Sequence, residues 1–183
     1  EALALAEEKS DWIRKHLSSR QTPVVPAVGG TVLYRGVETR IEAGRVRQAL
    51  WRDGGIVVPD APHLVAARIA AFLRLEARAR LTEASERHAC ALGRGFGRIT
   101  LRDTRSRWGS CNHRGDLMYS WRLAMAPPEV LDYVAAHEVA HLAELNHSPA
   151  YWRIVARLCP GYETPRRWLR ENGAVLHRYR FGD

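Results

Sequence analysis

The chain has 183 residues, 46% of them hydrophobic and 26% charged, with a formal net charge of +8. That length suits one hydrophobic core with at most a small appended unit, and the composition excludes wholesale disorder. No stretch approaches the roughly 20 uncharged apolar residues of a membrane span, since even the Ala-rich run from Pro62 to Leu92 carries Arg68, Arg74, Glu76, Arg78 and Arg80.

Residues Leu3 to Leu17 place apolar side chains at mixed helical spacing and predict a short leading helix, ending before the Pro-containing stretch Gln21 to Pro26. The first ten residues are acidic in part and lack the charged-then-apolar layout of a secretory leader. From Val24 to Val58, short runs rich in Val, Ile, Leu and Tyr are broken by Gly29-Gly30, Gly36, Gly44 and Asp53-Gly54-Gly55. This pattern predicts an antiparallel meander, with Asp53-Gly54 its clearest hairpin turn. Pro59 to Pro62 closes that region, and His63 to about Leu92, free of Gly and Pro after its start, predicts a long helix stopped by Gly93, Gly95 and Gly97.

Arg98 to Arg102 and Leu117 to Leu123 read as strands, with Trp108 to Asn112 a strand or loop between them and Asn112 to Asp116 a turn. Pro127-Pro128 starts a helix predicted to run through roughly Leu145. Ser148-Pro149 and Thr164-Pro165 each pair a capping side chain with a proline suited to a first helical turn, so two more helices follow, the last ending at Gly173. Strands, a long helix, further strands and three helices make an α+β architecture rather than alternating βαβ units. The expected division is a helix and small β region over 1–60 and a catalytic core over 61–183, together one compact unit.

Inside the helix that starts at Pro128 lies His137-Glu138-Val139-Ala140-His141, an H-E-x-x-H sequence. At roughly 100° per residue the two histidines fall about 40° apart on one helix face, so both imidazoles can reach one ion. Val130, Val134 and Leu145 continue the same stripe and place the ligands at the edge of a buried face. A catalytic zinc takes three protein ligands and keeps a fourth position open. His147 follows His141 at a distance that lets the helix stop at Asn146, a residue tolerant of the left-handed conformation, and the chain turn back. Glu144 competes, but as a member of the same helical row it would put three ligands in a line. Glu138 is rotated about 100° from His137 and can flank the ion without binding it. That position suits a general base for a water whose pKa the metal lowers. The expected ion is Zn²⁺, with another divalent transition metal as the alternative.

Several segments together resemble the YgjP-like metallopeptidase family. They are Arg105-Ser106-Arg107-Trp108-Gly109-Ser110-Cys111, Trp121-Arg122-Leu123, Asp132-Tyr133-Val134 running into His137 to Leu142, and Asn146-His147-Ser148 with Trp152. The likeness extends to Trp12 to Arg20, so it spans essentially the whole chain. That family is related to the SprT-like proteases and, more distantly, to other gluzincins and metzincins. The resemblance implies a zincin-like core, with a strand bordering the cleft, the zinc-binding helix beneath it, C-terminal helices, and His137, His141 and His147 as ligands. In metzincins the residue three after the second histidine is Gly, which permits the turn toward the third ligand. Glu144 stands there in this chain, so the turn is expected later, near Asn146. Ser120 stands where such proteins often have Asn.

The remaining candidates have equally ordinary readings. Arg105 and Arg107 are candidate substrate-binding residues for a carboxylate, a phosphate or a developing oxyanion, or, with Trp108, anchors of their loop. Tyr162, after Pro160-Gly161, is a candidate hydrogen-bond donor to the transition state or an aromatic packed between helices. Cys90, Cys111 and Cys159 are odd in number, widely spaced and without a C-x-x-C pair. They exclude a disulfide framework and a cysteine zinc site, and the expected compartment is the cytoplasm. Only Lys9 and Lys15 are lysines among the 28 basic residues. Such an arginine-rich charge suits a solvated surface or an acidic partner.

Three functions follow in order of preference: a zinc peptidase acting on peptide or protein; a metal-dependent hydrolase of phosphoanhydride bonds, with nucleotide phosphates as substrates; and a DNA-associated SprT-like protease or binding module. No nucleic-acid-binding motif is visible.

Overall fold

Alternating burial builds the first sheet. Val32 and Tyr34 turn inward from β1 (Thr31–Tyr34), and Thr39 and Ile41 do so from β2 (Val37–Gly44), as a period of two requires. The structure is a computed structural model and describes residues 22–182. The helix predicted over Leu3 to Leu17, and the Trp12 to Arg20 likeness, lie outside the described residues.

Two-residue turns join β1 to β2, and β3 (Leu50–Arg52) to β4 (Gly55–Pro59). Arg35-Gly36 and Asp53-Gly54 hold φ values of 55° and 80°, and of 50° and 85°. This is the mirror-image turn whose twist matches paired strands. The sheet order is β1-β2-β4-β3, and β2 pairs with β4 in parallel, which corrects the antiparallel meander. The reason lies in burial: Gly55 to Val58 are buried at every position and need a central place, while β3 is exposed enough for an edge.

The long helix α1 (Val65–Leu92) buries Ile69, Leu73, Ala77, Leu81 and His88 along one stripe. It ends where Gly93 enters the left-handed region at φ 71°. A second sheet follows, of β5 (Ile99–Arg102), β6 (Gly109–Cys111) and β7 (Leu117–Ser120) in the order β5-β7-β6. β7 runs parallel to β5 and antiparallel to β6, so β6 lies on an edge. The predicted strand Leu117 to Leu123 stops at Ser120; Trp121–Met125 instead winds into a wholly buried 3₁₀ helix.

Three helices complete the α+β fold: α2 (Pro128–Ala140), α3 (Pro149–Leu158) and α4 (Glu163–Asn172). Ser148 caps α3 as expected, but α4 begins at Glu163 with no side-chain cap, so Thr164 does not serve as one. Gly173 is right-handed, and a 3₁₀ turn, Gly173–His177, continues the chain. A Cβ on Gly173 would lie 2.9 Å from Cζ2 of Trp108, so that glycine admits the indole. A continuous core links Val32 and Ile41 of the first sheet through Ile69 and Leu73 to Tyr119, Ala135 and Tyr151.

Arg122 ties the C-terminal segment to this core. Its guanidinium donates to both Asp103 carboxylate oxygens at 2.6 and 3.0 Å, and to the carbonyls of Leu176 and Tyr179 at 2.8 and 3.1 Å. Burial works to raise the Asp103 pKa, but the Arg122 hydrogen bonds and charge outweigh it and hold the carboxyl below its ordinary value. Arg122→Ala orphans two carbonyls and one carboxylate. Because Asp103 is partly exposed and rehydrates, the expected loss is on the order of 2 to 4 kcal/mol, measured by urea unfolding; a loss within experimental error would contradict it.

Candidate active site

Helix α2 delivers His137 and Glu138 on its last full turn, with Val130, Val134 and Val139 buried behind them. It ends at Ala140, short of the predicted Leu145, because its end tightens. The N–H groups of His141, Leu142 and Ala143 bond carbonyls three residues back, at 3.2, 3.0 and 3.1 Å. Leu145 is therefore no part of the buried stripe and is 69% exposed. His141 Nδ1 lies 2.9 Å from the Glu144 carbonyl. As the donor in that bond, Nδ1 keeps the proton and leaves Nε2 with a lone pair for a metal.

The return toward His147 uses no left-handed residue at Asn146, contrary to expectation. Among the described residues only Arg35 and Asp53 combine a side chain with positive φ. Instead Asn146 Oδ1 accepts the Ser148 N–H at 3.1 Å, a side-chain-made turn, and Ser148 Oγ accepts the Tyr151 N–H at 3.2 Å. His147 is held between these two local devices.

The three imidazoles converge. Ring centroids are 5.3 Å apart for His137 and His141, 5.1 Å for His137 and His147, and 4.9 Å for His141 and His147. One nitrogen from each falls within 4.8 Å of the others, and Nε2 of His137 lies 3.3 Å from Nε2 of His147. Zinc–nitrogen bonds of about 2.0–2.1 Å at tetrahedral angles separate ligand nitrogens by about 3.3–3.4 Å, so this pair fits such an ion. Glu144 contributes a backbone carbonyl to the arrangement and stands outside the ligand cluster.

Burial pushes the His137 pKa down to about 3, helped by His141, His147 and Arg166. Burial lowers His141 as well. Neutral imidazoles are what metal ligation requires. Glu138, 5% exposed, is pushed up to about 8 by burial, with Arg107 opposing. A cation among the histidines acts in the same sense as Arg107 and favours the carboxylate.

Aromatic side chains brace the cluster. The Tyr133 hydroxyl stands 3.5 Å from His137 Nδ1, and the Tyr151 hydroxyl donates to the His137 carbonyl at 3.0 Å. Tyr151 stacks on His141 with centroids 4.6 Å apart, and Trp152 stacks on His147 at 5.8 Å. Tyr162 stacks on Trp152 and Tyr133. It lies behind the histidines and does not line the cleft, so packing accounts for it.

The cleft, about 400 Å³, is lined by the three histidines, Glu138, Arg107, Gly109, Cys111 and Leu145 among others. Arg107 stands where its candidate role needs it. Arg105 lines a different cavity, beside Asp103 and Trp121. Cys111 is pushed up to about 11 by burial and then by Glu138, which makes it a poor nucleophile.

Sequence reasoning had not singled out Gly109, whose hypothetical Cβ would lie 2.6 Å from Cγ and Oε1 of Glu138. Its neighbour becomes known only once the strand and helix meet. Tyr133, four residues before His137, was the more legible omission.

A sequence model of a family described as "YgjP-like, metallopeptidase domain" matches residues 1–172. No curated protein matches the chain. Among solved structures, the metallopeptidase zymogen of Pyrococcus abyssi, abylysin, is similar at a TM-score of 0.45 and 20% identity, over 50% of this chain and 93% of that one. No helix of the described residues is long and apolar enough to cross a membrane.

Gly109→Ala forces either β6 or the Glu138 side chain to move. An error of about 1 Å in a reacting group costs roughly 10²-fold in rate. Turnover is expected to fall about that far while elemental analysis finds the metal retained; undiminished turnover would refute the close packing.

Proposed function

The chain belongs to the YgjP-like metallopeptidase family, and from that premise we propose a zinc-dependent peptidase with His137, His141 and His147 as ligands and Glu138 as general base. The observation that carries this reading is the convergence of three imidazoles at one point, beside a buried carboxylate that is not among the ligands. An all-imidazole donor set suits zinc among divalent ions.

When bound, the metal supplies Lewis acidity, polarising the scissile carbonyl and making a water acidic enough to lose a proton near neutral pH. Glu138 takes that proton as water attacks and returns it to the departing amine. Its burial and the adjacent Arg107 balance a basicity near the working pH. The outer side of β6, an edge strand, offers backbone groups to an extended peptide, which pairs there and lays its carbonyl across the cleft. Arg107 lines the same cleft, which supports its meeting the negative charge that develops on that carbonyl oxygen.

A phosphoanhydride substrate was suggested by two neighbouring arginines. Only Arg107 lines the cleft, and the family favours peptides.

The test separates the metal from the base. Glu138→Gln is expected to keep stoichiometric zinc and lose about 10³-fold or more of peptide hydrolysis, whereas His147→Ala loses the zinc itself. Elemental analysis beside a peptide-cleavage assay reads both. Full activity in purified Glu138→Gln protein would end the general-base assignment, and full zinc in His147→Ala would end the ligand assignment.

A further inference from the structure

We propose that a second, arginine-lined cavity binds a compact polyanion bearing several phosphate groups. The cavity has a volume of about 1010 Å³ and shares no lining residue with the cleft. Arg74 reaches it from α1, Asp103 and Arg105 from the loop after β5, Trp121 and Arg122 from the buried 3₁₀ helix, and Arg180 from the C-terminal segment.

Charge is the first argument. Among the described residues four guanidinium groups face one carboxylate, and that carboxylate is already held by Nε and Nη2 of Arg122. Arg74, Arg105 and Arg180 have no carboxylate partner among the described residues. Like charges converging on one cavity repel one another, and an anion that enters relieves the repulsion.

The second argument is independent of charge. Trp121 is 2% exposed, yet its indole N–H has no hydrogen-bond partner among the described residues. Buried indole donors usually find one. The guanidinium groups of Arg74 and Arg122 lie over its ring, 4.8 and 4.9 Å from the centre, so the indole gathers two of the cations at the cavity wall.

The shape of the donor set selects phosphate over carboxylate. A planar carboxylate serves donors lying in its own plane, while tetrahedral phosphate oxygens serve donors arriving from several sides. Here donors come from four separate segments. A linear chain of phosphates also carries enough charge in a small volume to meet three arginines that have no carboxylate partner among the described residues.

The probe is sodium tripolyphosphate, titrated calorimetrically into the full zinc-loaded chain over a salt series. The expected result is micromolar binding at low salt that weakens as salt rises. Combined Arg74→Gln and Arg180→Gln, both exposed positions, lower the affinity about tenfold or more. His147→Ala leaves it within about twofold. One indole N–H resonance, the one missing from Trp121→Phe, shifts on binding. The proposal is overturned by no binding below millimolar concentration, by unchanged binding in the double arginine variant, or by loss of binding in His147→Ala, which would put the anion at the metal. Citrate binding as tightly as tripolyphosphate would overturn the phosphate assignment.

Discussion

Everything at the cleft depends on where α2 stops. Two histidines one helical turn apart can share an ion, but a third ligand from the same helix would extend the row and leave the third tetrahedral corner unfilled. The chain must leave the helix directly after His141 and come back. It does so by tightening its last bonds to three-residue spacing, which brings the carbonyl of Glu144, three residues past His141, against His141 Nδ1. Helix termination and the tautomer of His141 are thereby linked: with Nδ1 donating to the Glu144 carbonyl, Nε2 keeps its lone pair and would face an ion held by the proposed triad.

A buried carboxyl is the second constraint, and it runs against stability. Glu138 is nearly inaccessible to solvent and its charge is disfavoured there. Gly109 makes the position sterically allowed. Arg107 and a cation at the histidines make the charged form electrostatically allowed. The pKa values of His137 and His141 are likewise pushed down, first by burial and then by neighbouring histidines. Such mutually unfavourable charge is characteristic of a site built for a ligand, and a divalent cation held by the proposed triad would relieve it.

The elements whose cause is local were legible in the sequence. The Asp53-Gly54 turn, the long helix ending at Gly93, the Pro128 start of α2 and the Ser148 cap each follow from chemistry within a few residues. The His137–His141 pairing was legible because helical phase is arithmetic, and His147 because of its spacing from His141 and the family resemblance. What was not legible depends on partners distant in sequence. β4 enters the sheet beside β2 because it is buried on both faces, a fact about the assembled sheet. Gly109 matters through a helix about thirty residues away. The turn near Asn146 was expected to use that residue's left-handed conformation, but the Asn146 side chain accepting a backbone N–H does the same work without it.

The segment from Asp103 to Trp108 shows why two neighbouring arginines could not be assigned together. Thr104 Oγ1 donates to the Arg107 carbonyl at 2.9 Å, and the Trp108 carbonyl accepts the Ser120 N–H at 2.9 Å, so the loop is closed on itself and on β7. The Trp108 indole is then clamped between Gly173 and His177, whose ring stacks 5.0 Å away. With both ends fixed, Arg105 lines the arginine-rich cavity and Arg107 the cleft. Asp103, at the start of this loop, is held by Arg122, which also holds the C-terminal carbonyls. The same anchoring that sets the edge strand above Glu138 thus forms one wall of the second cavity. Asp103 stands four residues before Arg107, the arginine whose charge opposes the effect of burial on the Glu138 carboxylate.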